Sequence, residues 1–92
     1  MNVVKGSVVR SLTGRDRGGY FVAVDVTDRF VTIADGKERK LSSPKRKNVR
    51  HISPTSHVIE LSGMTDKKLK RLLRELEPEA NGEPLRPDEN KK

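Results

Sequence analysis

Arginine grips phosphate well because its planar guanidinium can offer two parallel N–H donors to one anion. Arg15 and Arg17 stand two residues apart in the run Thr13-Gly14-Arg15-Asp16-Arg17-Gly18. The flanking Gly14 and Gly18 permit a tight connection and a close approach by another backbone, so this loop can bring both guanidinium groups to a polyanion. A second concentration of charge follows. Lys37, Arg39, Lys40, Lys45, Arg46, Lys47 and Arg50 are seven cations set against the single acid Glu38. Lys45-Arg46-Lys47, directly after Pro44, reads as an exposed, mobile connection that tracks a phosphate backbone without reading base edges. His51, beside Arg50, adds to this surface a group capable of hydrogen bonding or stacking. Each feature also has a plainer reading: a solvated hairpin tip, charges that keep sheet edges from pairing, and an ordinary histidine at a sheet edge. Edge protection, however, needs one or two lysines rather than seven cations.

The placement of the charge says more than its size. The 92 residues carry a net +7. Residues 1–54 hold twelve Lys and Arg against five Asp and Glu, residues 55–77 five against four, and residues 78–92 three against four. The whole excess therefore lies in the first 54 residues. Such concentration is the electrostatic footprint of a nucleic-acid binder, since neutralising phosphates and releasing their counterions supplies most sequence-independent affinity.

The elements that must carry these side chains are short strands. Val8, Val9 and Leu12 before the loop, and Val22, Val24 and Val26 after it, form apolar runs of strand length joined by turn-formers, which predicts a hairpin. Residues 30–34 predict a further strand ending at Asp35-Gly36, with Val31 and Ile33 on one face. Residues 37–41 are expected to form a wet strand broken by Ser42-Ser43-Pro44, and residues 48–52 a final short strand before Pro54. Four or five closely spaced strands predict a mainly β fold, a small antiparallel barrel over residues 1–54. From Thr65 the period changes to 3.6. Leu69, Leu72, Leu73 and Leu76 sit at i, i+3, i+4 and i+7, and Thr65-Asp66 supplies a cap with an acidic first turn. The reading is a connector over residues 55–64, then one amphipathic helix over residues 65–77, stopped by Pro78 and packed on the barrel by its leucine face. Lys67, Arg71 and Arg74 form its basic outer stripe. Residues 78–92, polar, mixed in charge and interrupted by Pro and Gly, are expected to be a disordered tail.

Other chemistries find little here. There are no cysteines and two histidines, so no zinc site is expected, and no other cofactor is called for. No Lys-Ser or Lys-Thr pair follows Gly18 to make a P-loop, and no nucleophile elbow or paired carboxylates appear. Catalysis is not expected. Three aromatic residues, Tyr20, Phe21 and Phe30, are too few to fill a core and also build a base-stacking platform or a peptide groove. The absence of a long apolar N-terminal run points to the cytoplasm.

The loop with its flanking valines resembles the KOW motif, a short RNA-binding hairpin element. Its Thr13-Gly14-Arg15-Asp16-Arg17-Gly18 form is similar to that of a group of large-subunit ribosomal proteins of archaeal and eukaryotic type. The resemblance covers roughly the first half of the chain. It implies an SH3-like barrel in which Gly14 and Gly18 shape the loop while Arg15 and Arg17 touch RNA. The chain departs from the pattern at Gly19 and Tyr20, where many members carry a lysine or arginine after the glycine. Together these features predict a non-catalytic protein, monomeric when free, that recognises structured RNA, ribosomal RNA above all, through its backbone. The alternative is a KOW or SH3-like protein-interaction module in a transcription or translation complex.

Overall fold

The computed structural model describes residues 3–80. Five strands form one antiparallel sheet: β1 (Ser7–Ser11), β2 (Tyr20–Val26), β3 (Phe30–Ala34), β4 (Lys45–Asn48) and β5 (Ile52–Val58). Their order is β4-β3-β2-β1-β5, and a helix, α1 (Asp66–Ala80), follows. The chain is thus mainly β with one C-terminal helix, in keeping with an SH3-like barrel. No described helix is long and apolar enough to cross a membrane.

Alternation along the strands divides the apolar residues between two cores. Val9, Phe21, Ala23, Val31, Ile33 and Ile52 pack together on one face with Val3. Val8, Tyr20, Val22 and Ala34 lie on the other face, where Leu69 and Leu73 of α1 cover them. Strand β2 therefore opens with four consecutive buried residues, Tyr20 to Ala23. Of the four leucines whose spacing predicts this face, Leu69, Leu73 and Leu76 pack on the barrel. Burying Leu69 and Leu73 stabilises the docked helix by about 1.5–3 kcal/mol each.

The start of α1 is tied down by side chains. Thr65 Oγ1 accepts the Lys68 N–H at 3.2 Å, an N-cap bond. Asp66 Oδ1 accepts the Leu41 N–H at 2.7 Å from the segment between β3 and β4. In the same segment Gly36, at φ +77°, lies so close to the helix that a Cβ there would collide with the Asp66 carbonyl.

Several expectations are corrected. Residues 37–41 are not a strand. Asp35 Oδ1 accepts the N–H groups of Lys37 and Arg39, each at 2.8 Å, and the Arg39 carbonyl accepts from the Asp35 and Gly36 amides. These bonds curl the segment into a compact loop and take its amides out of any ladder. The strand falls instead on Lys45–Asn48, so Lys45-Arg46-Lys47 is paired with β3 rather than a mobile connection. Pro54 does not end the last strand; it sits inside β5 opposite Val9. A proline is tolerated there because β5 is an edge strand. Strand β5 therefore runs into the expected connector. The helix likewise continues through the expected stop at Pro78, with α1 described as Asp66–Ala80. The expected tail lies outside the described residues from residue 81 onward.

Candidate nucleic-acid interface

The loop between β1 and β2 is a single 3-10 turn, Gly14–Asp16, closed by backbone bonds. Gly18 N donates to the Ser11 carbonyl at 2.8 Å, and Ser11 N to the Gly19 carbonyl at 3.0 Å. Gly14 and Gly18 have φ of +75° and +85°, the left-handed region that favours glycine, as their bracketing of the loop predicts. Gly19 serves a different need. A Cβ there would stand 3.0 Å from the Phe21 ring and 3.1 Å from the Asp16 carbonyl, so this departure from the family pattern fits close packing under the loop.

Arg15 and Arg17 are both exposed, while the acid between them is not. The Asp16 side chain is 9% exposed and is held by Arg39, whose Nε and Nη2 each donate at 3.3 Å. Lys47 Nζ approaches the same carboxylate at 4.0 Å. Neutralising an acid inside the domain leaves the outer surface of the loop with its cations alone. The turn residues of the loop and two distant cations act as one unit.

Lys47 therefore differs from its neighbours. It is buried at 8% exposure. Its ammonium donates to Ser11 Oγ at 2.9 Å and to the Thr13 carbonyl at 2.8 Å. Those two bonds take up two of its three N–H donors inside the domain, so the expectation that this residue lies exposed is corrected. Arg39 is partly withdrawn for the same reason, with 29% of its side chain exposed.

Lys37, Lys40, Lys45, Arg46, Arg50 and His51 are exposed. Arg46 lies over the half-buried Phe30, with its guanidinium carbon 4.4 Å from the ring centroid, a cation–π contact that orders the side chain. Arg50 and His51 belong to a short 3-10 turn, Val49–His51, capped by the Asn48 side chain, which accepts the Arg50 N–H at 2.9 Å. The His51 carbonyl accepts from Leu12 at 2.9 Å, which joins this turn to the end of β1 beside the basic loop. The loop and the β4 edge thus adjoin, with Lys47 as the link between them. Of the three aromatics, Tyr20 and Phe21 are buried core residues.

Asp16, Ser11 and Thr13 were not singled out as functional residues from the sequence. The available signal was a lone acid between two arginines in a loop otherwise free of negative charge.

No family model matches the chain. It is similar to the large ribosomal subunit protein eL14 of Metallosphaera sedula, with 31% identity over 72 residues covering 76% of this chain and 75% of that protein. The eL14 protein of Sulfolobus acidocaldarius is 33% identical over 70 residues, covering 74% of this chain and 73% of its own. That of Staphylothermus marinus is 34% identical over 70 residues, with the same coverage.

Proposed function

Because the chain belongs to the eL14 family of large ribosomal subunit proteins, we propose that it is a non-catalytic protein that binds ribosomal RNA through backbone phosphates and works on the ribosome in the cytoplasm. The observation that carries this reading is the inward turn of Asp16 between the exposed Arg15 and Arg17. A loop that served only solubility would have no use for cancelling its one acid inside the fold. Lys45, Arg46, Arg50 and His51 extend the contact along the β4 edge. Lys37 and Lys40 add to the field from the adjoining loop. Arg39 and Lys47 act by positioning, since they hold Asp16 and thereby the loop.

If about five cations each neutralise one phosphate, log K against log salt falls with a slope of roughly −3.5 on single strands and −4.5 on duplex. The test is titration of ribosomal RNA fragments of equal shape and different sequence, with the parent chain and with Arg15→Glu/Arg17→Glu. Similar affinity across sequences, a steep salt slope and clear weakening by the double reversal are expected. A slope near zero, or binding by the folded reversal variant equal to the parent, overturns the reading.

A further inference from the structure

A cleft of about 300 Å3 opens where α1 meets the segment between β3 and β4, lined by Tyr20, Asp35, Lys37, Lys70, Leu73 and Arg74. Lys70 and Arg74 are i, i+4 neighbours on the helix and so lie one above the other beside the buried Leu73. Lys37 comes from the facing loop. All three cations are exposed, and none pairs with a described carboxylate, since the described ion pairs all belong to Asp16. The one acid in the lining, Asp35, is fixed in place by its Oδ1, which accepts two backbone N–H groups, and its single charge leaves the three cations in excess. The cleft beside the basic loop is different in kind, with Arg15 and Arg39 matched by Asp16 and Glu38.

The walls of the helix-side cleft are fixed to each other. Asp66 Oδ1 holds the Leu41 amide, and Gly36 lets the loop backbone lie against the first turn of the helix. Three cations from two elements are thus kept together against their mutual repulsion by the packing of apolar and backbone groups. A polyanion relieves that repulsion. The only aromatic ring in the lining, Tyr20, is 6% exposed and offers no face on which a base could stack.

We propose that this cleft receives a phosphodiester of the RNA backbone, which makes α1 a second part of the RNA interface. The inference rests on the RNA-binding reading above and extends it to a face of the domain outside the KOW-type loop. Lys70 and Arg74 are the residues that distinguish it.

The test compares full chains carrying Lys70→Gln/Arg74→Gln with a control pair, Lys68→Gln/Arg71→Gln, that removes the same charge elsewhere on the helix. Circular dichroism first checks folding. With a hairpin of ribosomal RNA, the cleft pair should bind about tenfold more weakly at low salt, with a salt slope less steep by roughly 0.7 to 0.9, the loss of one neutralised phosphate, and the control pair about threefold or less. Amide shifts of Lys37, Lys70 and Arg74 should respond to the hairpin at concentrations where inorganic phosphate leaves them unmoved. Equal weakening by both pairs reduces the effect to net charge and overturns the proposal. An equal response to inorganic phosphate makes the cleft a small-anion site and overturns its assignment to RNA. If the cleft pair binds like the parent while Arg15→Glu/Arg17→Glu binds weakly, the proposal fails and the RNA-binding reading stands. If neither weakens binding, the RNA-binding reading itself is lost, and the proposal with it.

Discussion

Replacing Lys47 by methionine separates its two conceivable roles, because the substitution keeps the apolar stem and removes only the ammonium. The ammonium donates to Ser11 Oγ at 2.9 Å and to the Thr13 carbonyl at 2.8 Å. Hydrogen bonds to charged groups contribute about 1.5–3 kcal/mol each. Against that loss, a thioether escapes the desolvation that a buried ammonium suffers, and Arg39 still holds Asp16. Nor is Ser11 left bare, since its hydroxyl donates to the Thr13 carbonyl at 3.2 Å. The net destabilisation should be about 3 kcal/mol, which for a domain of this size lowers Tm by roughly 12–24 °C. Lys45→Met, at an exposed position two residues away on the same strand, should change stability by no more than about 0.5 kcal/mol. Thermal melts followed by circular dichroism give the first quantity, and RNA titration well below both midpoints gives the second. Should Lys47→Met melt within about 3 °C of the parent, well short of the shift a structural ammonium requires, and yet bind RNA several-fold more weakly, the ammonium is available to phosphate. The internal role assigned to it would then be wrong.

Gly18→Ala should lose about 1–2 kcal/mol in urea unfolding, the ordinary cost of a left-handed residue, since a Cβ there meets nothing within 4 Å. Gly36→Ala should lose more than Gly18→Ala, because its Cβ also drives the helix off the loop; equal losses would mean that the helix does not sit where described. Leu69→Ala, at a fully buried position, should destabilise by about 2–5 kcal/mol with α1 amides losing exchange protection first. A double-mutant cycle between Phe30→Ala and Arg46→Ala should give a coupling of about 0.5–1 kcal/mol at this partly exposed pair, and zero coupling would show that the stacked geometry is not maintained.

The parts of the fold legible in the sequence are those set by neighbours in the chain. Strands β1 to β3 follow from runs of Val, Ile and Phe between turn-formers, and α1 from leucines at helical spacing. Gly14 and Gly18 declared their left-handed backbone through the loop they bracket. Residues 37–41 were misread because a charged run after Asp-Gly looks like a strand, while a single carboxylate, Asp35, captures the amides such a strand would need. Lys47 was misread because burial is decided by register. Val31 pairs with Lys47, which sends the lysine to the inner face, and no local pattern in Lys45-Arg46-Lys47 reveals that pairing. Its counter-charge, Asp16, lies 31 residues back and close to it only after folding. The cleft at α1 has the same origin, since Lys37 and Arg74 become neighbours only through the docking of Asp66.

The order β4-β3-β2-β1-β5 also determines how the chain must come together in time. Strands β1 to β4 meet through successive turns, so those pairings can form as soon as their residues have been synthesised. The far side of β1 has no such neighbour. It waits for β5, where Ser11 meets Ile52 across 41 positions, a closure that is slow by its length. During that wait a strand containing Val8 and Val9 presents a bare row of amides and carbonyls, the kind of template on which other chains aggregate. When β5 arrives, it replaces that sticky margin with one interrupted by Pro54, which has no N–H to offer a newcomer. A chain cut short before Ile52 should accordingly clump rather than remain a soluble half-sheet.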